Sequence, residues 1–208
     1  MSHSKTRKNR TSTNKTRKKR VFKNKDFNSG DGMMTKIWGP IVWTALHTIS
    51  FNYPVNPTAE DKKHYKDFIY SLRYVLPCKY CRINLTKNLK QKPLQMCHMK
   101  NRDTFSRYIY ELHELVNKML DKKSGLTYCD VRERYEHFRA RCTQEKPKIF
   151  NFIKTNKSVT KKEKGCTEPL YGKKSKCVIN IVPLEDKSAT FNINKQCLST
   201  FEKDGPKD

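Results

Sequence analysis

Three observations predict an all-α protein, a bundle of four long helices with a short fifth. Between residues 37 and 138, apolar side chains recur at helical spacing rather than in strict alternation. Pro54, Pro57, Pro77, Pro93, the Ser124-Gly125 pair and Pro147 cut this region into helix-sized segments. Nearly all good core residues lie there, in a chain of 208 residues that is only 35% hydrophobic. One domain of ordinary size therefore carries the core, and the ends are appendages.

Each element follows from its own residues. After a Gly30-Asp31-Gly32 turn, the first helix runs from about Thr35 to Phe51 with Ile37, Ile41, Trp43, Leu46 and Ile49 as its apolar set. Thr58, with Asp61 three residues on, caps a second helix that runs to about Leu76 and carries Phe68, Ile69, Leu72 and Val75. Pro77 stops that helix and suits the first turn of a third, which passes through Cys81, Leu85 and Leu89 and ends before Pro93. Asp103 caps the fourth, whose broad apolar face is made by Phe105, Tyr108, Ile109, Leu112, Leu115, Val116 and Met119. The fifth spans about residues 130 to 141. Further on, residues 177–182 and 189–193 are strand-like and suggest a small β-hairpin. The domain plan is thus a basic arm over 1–32, the helical domain over 33–144, and a basic, cysteine-containing extension over 145–208.

The formal net charge of +25 points to nucleic acid, an anionic surface or an acidic partner, but much of it sits at the ends. No acidic residue precedes Asp26, and the Lys- and Arg-rich arm before it has almost nothing apolar, the composition of a disordered segment. Such an arm could bind phosphates, although no aromatic residue before Phe22 offers base stacking. No stretch approaches a membrane span and no secretory signal is visible, so the expectation is a soluble protein outside the secretory route. Eight cysteines in such a chain favour redox catalysis or metal binding over a structural disulfide framework.

The pair in Leu76-Pro77-Cys78-Lys79-Tyr80-Cys81-Arg82 carries the chemistry. A thioredoxin-type pair would follow a buried strand, and a helix precedes this one. Haem attachment would need histidine where Arg82 stands. At a helix N-terminus the free amides and the dipole stabilise a thiolate, which makes Cys78 a redox position. Zinc is the competing reading, with Cys78, Cys81, Cys97 and His98 as ligands, although neighbouring side chains at 97 and 98 diverge. That reading would make the chain a zinc-stabilised helical nucleic-acid-binding module.

Two polar stripes accompany the pair. Trp43 and His47 lie one turn apart on the first helix, with Gly39-Pro40 beneath them; Tyr110, His113 and Asn117 share a face of the fourth. Rings and polar tips along an apolar face suit a planar cofactor, while ordinary core aromatics and a polar surface are the plainer alternatives.

The joint pattern resembles a family. Trp38-Gly39-Pro40-Ile41-Val42-Trp43-Thr44-Ala45-Leu46-His47, Tyr53-Pro54, the Cys78 to Cys81 motif, Leu112-His113-Glu114-Leu115-Val116-Asn117 and Tyr128-Cys129 follow the order of the Erv/ALR FAD-linked sulfhydryl oxidases. The branch encoded by large DNA viruses is the nearest. The resemblance implies FAD at the mouth of the bundle, a homodimer through the first two helices, and oxidation of dithiols in protein substrates with O2 reduced to H2O2. It implies that Cys78 receives electrons and Cys81 faces the flavin as a charge-transfer thiolate. It assigns FAD contacts to Gly39, Pro40, Trp43, His47, Tyr53, Cys81, Tyr110, His113, Asn117, Lys118, Lys122, Arg134 and Tyr135, and no metal. Cys166 and Cys177 are candidates for a shuttle pair or a structural clasp, with Cys197 also outside the matched core. The implied compartments are a host cytoplasm or virion, or else the mitochondrial intermembrane space.

Three departures stand out. Asn84 occupies a position where many relatives have histidine, Glu114 one where asparagine is usual, and Tyr110 that of a cysteine which often bonds the counterpart of Cys129. Cys129 then has Cys142 as a candidate partner, or is buried and free; Cys97 is expected to be a bystander.

Overall fold

The computed structural model of the chain describes residues 23–140, 166–167, 169–170, 173–188 and 192–198. The chain divides into two units. The first, Met1–Asp31, contributes one helical turn, α1 (Asn24–Phe27), to the described residues. The second, Gly32–Asp208, holds the five helices of the bundle: α2 (Thr35–Phe51), α3 (Ala59–Val75), α4 (Lys79–Gln91), α5 (Arg102–Met119) and α6 (Tyr128–Glu136).

Helix boundaries follow side-chain chemistry. Thr58 caps α3 as expected: its hydroxyl accepts from Asp61 N–H at 3.1 Å, and the Asp61 carboxylate accepts from Thr58 N–H at 2.8 Å. A cap of this kind stabilises a helix by about 1 kcal/mol. Pro77 lies outside α4, which starts at Lys79 because Cys78 is extended (φ −153°) and is itself the N-cap. Asn101, not Asp103, caps α5 through Thr104 N–H at 3.0 Å; the Asp103 carboxylate instead accepts from the Tyr128 hydroxyl at 3.1 Å. Thr127 with Asp130 caps α6, whose first residue, Tyr128, comes two residues before the expected start. That helix stops at Glu136, where the Arg139 guanidinium folds back onto the Glu136 carboxylate and donates to the Phe51 carbonyl at 2.9 Å. Arg141, in the expected last turn, lies outside the described residues.

Within the bundle, α2 packs chiefly against α5 and α3 against α4, while α6 lies across α2 and α5. The core between them includes Leu46, Ile69, Leu85, Leu89, Phe105, Tyr108, Ile109 and Leu112. Fully burying each of the aliphatic ones contributes roughly 1.5–3 kcal/mol. Tyr53 is also fully buried there, its hydroxyl donating to the Met99 carbonyl at 3.0 Å. A second cluster joins Phe51 to Tyr128 and Val131, with Tyr110 and Tyr135 against it.

The expected hairpin is not seen among the described residues, which contain no strand and whose β pairing is one isolated bridge between Ala140 and Pro169. Residues 189–191 of its second half lie outside the described residues. The first half has no ladder to join and no core to face, since Val178, Ile179, Ile181 and Val182 are all exposed. No helix among the described residues is long and apolar enough to cross a membrane.

Candidate active site

The site begins at the start of α4. Cys78 Sγ accepts from Cys81 N–H at 3.3 Å, so the first sulfur satisfies one of the unpaired amides of the helix N-terminus. Both thiols are free and partly exposed. They differ in acidity. Cys78 is held below the ordinary thiol range, chiefly by a hydrogen bond from the Cys81 thiol, against burial, with further help from Cys81 N–H and the Thr35 hydroxyl. Cys81 is pushed up, by burial first and then by its bond to Cys78. Of the two thiols, Cys78 is therefore the one that gives up its proton more readily.

Thr35 Oγ1 lies 4.0 Å from Cys81 Sγ, and this contact ties the cysteine pair to α2. Thr35, Gly39, Trp43 and His47 succeed one another at intervals of four, so they form one gently winding stripe on that helix. A Cβ on Gly39 would meet only Thr35 Cγ2, at 3.7 Å, which leaves open space along the stripe between the sulfur end and the Trp43 ring.

Rings converge at the other end. Trp43 stacks on His113 of α5 with centroids 3.9 Å apart and planes within 6°. His47 Nε2 and His113 Nδ1 are 3.0 Å apart and share one proton. Tyr135 of α6 stacks on His47 from the other side at 5.1 Å. Burial drives His47 down to about 3, with His113 and Arg134 adding to it, and drives His113 down to about 4. Both imidazoles are accordingly neutral at pH 7.

The far end of α5 is polar. A groove of about 490 Å³ is lined by Tyr110, Glu114, Lys118, Lys122, Lys123 and Leu126 among others. Asn117 Nδ2 donates to Glu114 Oε1 at 2.9 Å, so the unusual Glu114 already engages its neighbour. The Tyr110 hydroxyl donates to the Leu126 carbonyl at 2.8 Å and its ring meets Tyr128 edge-on at 5.9 Å.

These features fit a planar, phosphate-bearing cofactor such as FAD: stacked rings, an open strip over Gly39, and lysines at the groove. Among the described residues, the buried polar atoms His47 Nδ1 and Asn88 Nδ2 lack partners, and His47 Nδ1 leaves hydrogen-bonding capacity at the ring cluster itself. Zinc does not fit. Among the described residues no group of three or more His, Cys, Asp or Glu could hold a metal, and His98 Nδ1 is already taken by Gln95 N–H at 3.0 Å.

A probable FAD-linked sulfhydryl oxidase of Acanthamoeba polyphaga mimivirus is 39% identical over 104 residues, covering 50% of this chain and 72% of the relative. The pattern of the Erv1 / Alr family matches residues 40–139. The chain belongs to that family. An FAD-linked sulfhydryl oxidase of African swine fever virus (isolate Pig/Kenya/KEN-50/1950) is 29% identical, over 48% of this chain and 80% of its own. The mitochondrial FAD-linked sulfhydryl oxidase of Saccharomyces cerevisiae is 31% identical, over 38% and 41% respectively. The span matched to the Erv1 / Alr family includes Cys78, Cys81 and every ring of the stack.

Of the expected site residues, Trp43, His47, His113 and Tyr135 meet directly, with the Arg134 charge felt at His47. Lys118 and Lys122 line the groove with Tyr110. Gly39 belongs to the α2 stripe, whereas Pro40 is exposed. Tyr53 is corrected: its complete burial makes it a core residue with no surface for a ligand. The Cys166 and Cys177 pairing is corrected as well, since Cys166 is disulfide-bonded while Cys177 is a free, exposed thiol. Cys129 is free but exposed rather than buried, and Cys142 lies outside the described residues. Cys97 is a free, exposed thiol whose Sγ donates to Gln95 Oε1 at 3.7 Å.

Sequence reasoning missed Thr35 and Asn88. The interval of four from Thr35 through Gly39 to Trp43 was the available signal for the first. Asn88, seven residues past Cys81, shows itself only through its burial.

Proposed function

We propose that this chain is an FAD-dependent thiol oxidase that forms disulfides in protein substrates. The observation that carries the reading is the single α2 stripe, which has a redox sulfur against Thr35 at one end and the Trp43, His47 and His113 rings at the other. With Cys78 and Cys81 in their disulfide form, a substrate thiolate attacks Cys78 Sγ and displaces Cys81 as thiolate. A second substrate thiolate then attacks the mixed disulfide and releases Cys78. Two substrate thiols have lost two protons and two electrons, and the enzyme pair has gained them. The acidity of Cys78 makes it the better leaving group in the second exchange. The chemistry that FAD supplies when bound is acceptance of both electrons from the dithiol and their delivery to O2, giving H2O2.

Trp43, His113 and Tyr135 would hold the ring system, neutral His47 would offer a hydrogen bond from its unpaired side, and Lys118, Lys122 and Arg134 would balance phosphate charge. Cys81 is the flavin-side sulfur in this reading. A homodimer is part of the proposal, supported by Ile37 and Ile41 of α2 and Phe68 of α3, apolar side chains left exposed in the single chain. Contact with nucleic acid or another anionic surface would fall to the basic arm, and the compartment would be that of a viral or mitochondrial relative.

Purification tests the central claim. A yellow protein with a flavin absorbance band that consumes oxygen with dithiothreitol is expected; a colourless protein that cannot be reconstituted with FAD would sink it.

A further inference from the structure

The segment that enters α2 lies against the backbone of the redox motif. Met33 N–H donates to the Pro77 carbonyl at 2.8 Å, and the Met33 carbonyl accepts from Trp38 Nε1–H at 3.0 Å. A Cβ on Gly32 would stand 2.7 Å from Pro77 O and 3.2 Å from Cys78 Cα. The first distance is closer than real Cβ contacts allow, and both neighbours are backbone atoms that cannot swing aside. Gly32 does not have the positive φ that only glycine tolerates well; among the described glycines that belongs to Gly125. Its need is purely one of space.

We infer that residues 32 to 38 form a positioning latch on the redox motif, with Gly32 admitting the close approach and Thr35 delivering its hydroxyl to the sulfur pair. The reading rests on Cys78 and Cys81 being the reactive pair. Three hydrogen-bonding contacts converge on it: Met33 to the residue before Cys78, Trp38 back to Met33, and Thr35 Oγ1 at 4.0 Å from Cys81 Sγ. Thr35 is the residue that touches a reacting atom; Gly32, Met33 and Trp38 position it. A hydroxyl beside a sulfur pair that shares one proton donates to whichever sulfur is ionised, so it favours the thiolate form of the pair. The charged groups flanking the motif are Lys79 and Arg82 on α4 and Lys36 on α2. Arg82 is committed to the Leu76 carbonyl at 2.5 Å and holds the same loop from its other side. Together, the latch and Arg82 hold the turn through Leu76 and Pro77.

Site-resolved alkylation tests this on the reduced full chain. Cleavage after Arg73, Lys79 and Arg82 places Cys78 and Cys81 in separate tryptic peptides, so each rate with iodoacetamide can be read by mass spectrometry across pH. Thr35→Val should move the Cys78 profile to higher pH and slow its alkylation at pH 7 about threefold, the order expected for half a pKa unit. Thr35→Ser should restore the wild-type profile. Gly32→Ala, whose methyl displaces Met33 from Pro77, should reproduce the Thr35→Val shift while Cys97 alkylation stays unchanged. A wild-type profile at both cysteines in folded Thr35→Val overturns the role of the hydroxyl, and a wild-type profile in Gly32→Ala overturns the latch. Because alkylation needs no flavin, a chain that binds none would overturn the oxidase reading and leave this one standing.

Discussion

The two ends of α2 are built on opposite principles. Around Thr35 the structure is thin: exposed side chains, two free thiols, and a motif held by backbone contacts to Met33 and Pro77. Around His47 it is dense, with a histidine only 3% exposed between rings from two other helices. In the proposed function the first end exchanges thiols with other proteins and must be open to them. An end that holds a planar group must exclude water and fix orientation. One helix spans both requirements, and Gly39 is the place where side-chain bulk gives way between them.

Breaking the open end should have the largest effect. Cys81→Ser or Cys78→Ser should reduce oxygen consumption with dithiothreitol to background while the flavin band is retained, and full turnover in both variants would remove the assigned mechanism. At the dense end, Trp43→Ala should strip flavin during purification and lower stability by about 2–3 kcal/mol in urea titration, since it deletes a large, half-buried ring stacked on His113. Retention of flavin at wild-type stoichiometry would separate the stack from the cofactor.

Acid should discriminate the two ends next. His47 and His113 have folded-state values of about 3 and about 4, below the ordinary 6.5, so the unfolded chain binds more protons than the folded one between those limits. Their contribution is fully present above pH 6.5 and is lost as pH falls towards 4, at up to about 1.4 kcal/mol per pH unit for each histidine. Melting temperatures measured from pH 7 to pH 4.5 should fall, and His47→Gln should flatten the slope; an unchanged slope would mean that the ring pair is not what acid attacks. The smallest effect belongs to Tyr110→Phe, which removes the bond to the Leu126 carbonyl and should cost about 1 kcal/mol by chemical denaturation.

What the sequence made legible was local. The Thr58 and Asp61 cap, the helical setting of the cysteine pair, and the facing of Trp43 with His47 all depend on spacings within a few residues, and the structure bears them out. Tyr53 misled because a tyrosine before proline looks alike whether its hydroxyl meets a ligand or the Met99 carbonyl 46 residues away. The extension misled because β-branched residues such as Val178 and Ile179 favour strands only where a neighbouring strand and a core exist. Gly32 was read as a turn residue, since nothing local reveals that Pro77 will pass within contact distance. Membership of the Erv1 / Alr family came from motifs that are weak singly and specific in order.

Tyr110 stands where relatives often carry half of a cross-link, and here its hydroxyl and ring join α5 to the start of α6 through Leu126 and Tyr128. Neither contact involves a sulfur, although the neighbouring Cys129 is a free, exposed thiol. A catalyst working among thiols and disulfides is continually offered exchange partners, and any cross-link in its own frame is a potential leak in the circuit. These contacts hold no bond that a thiol can exchange, so reduction of Cys78 and Cys81, the reactive couple of the proposed function, leaves them intact.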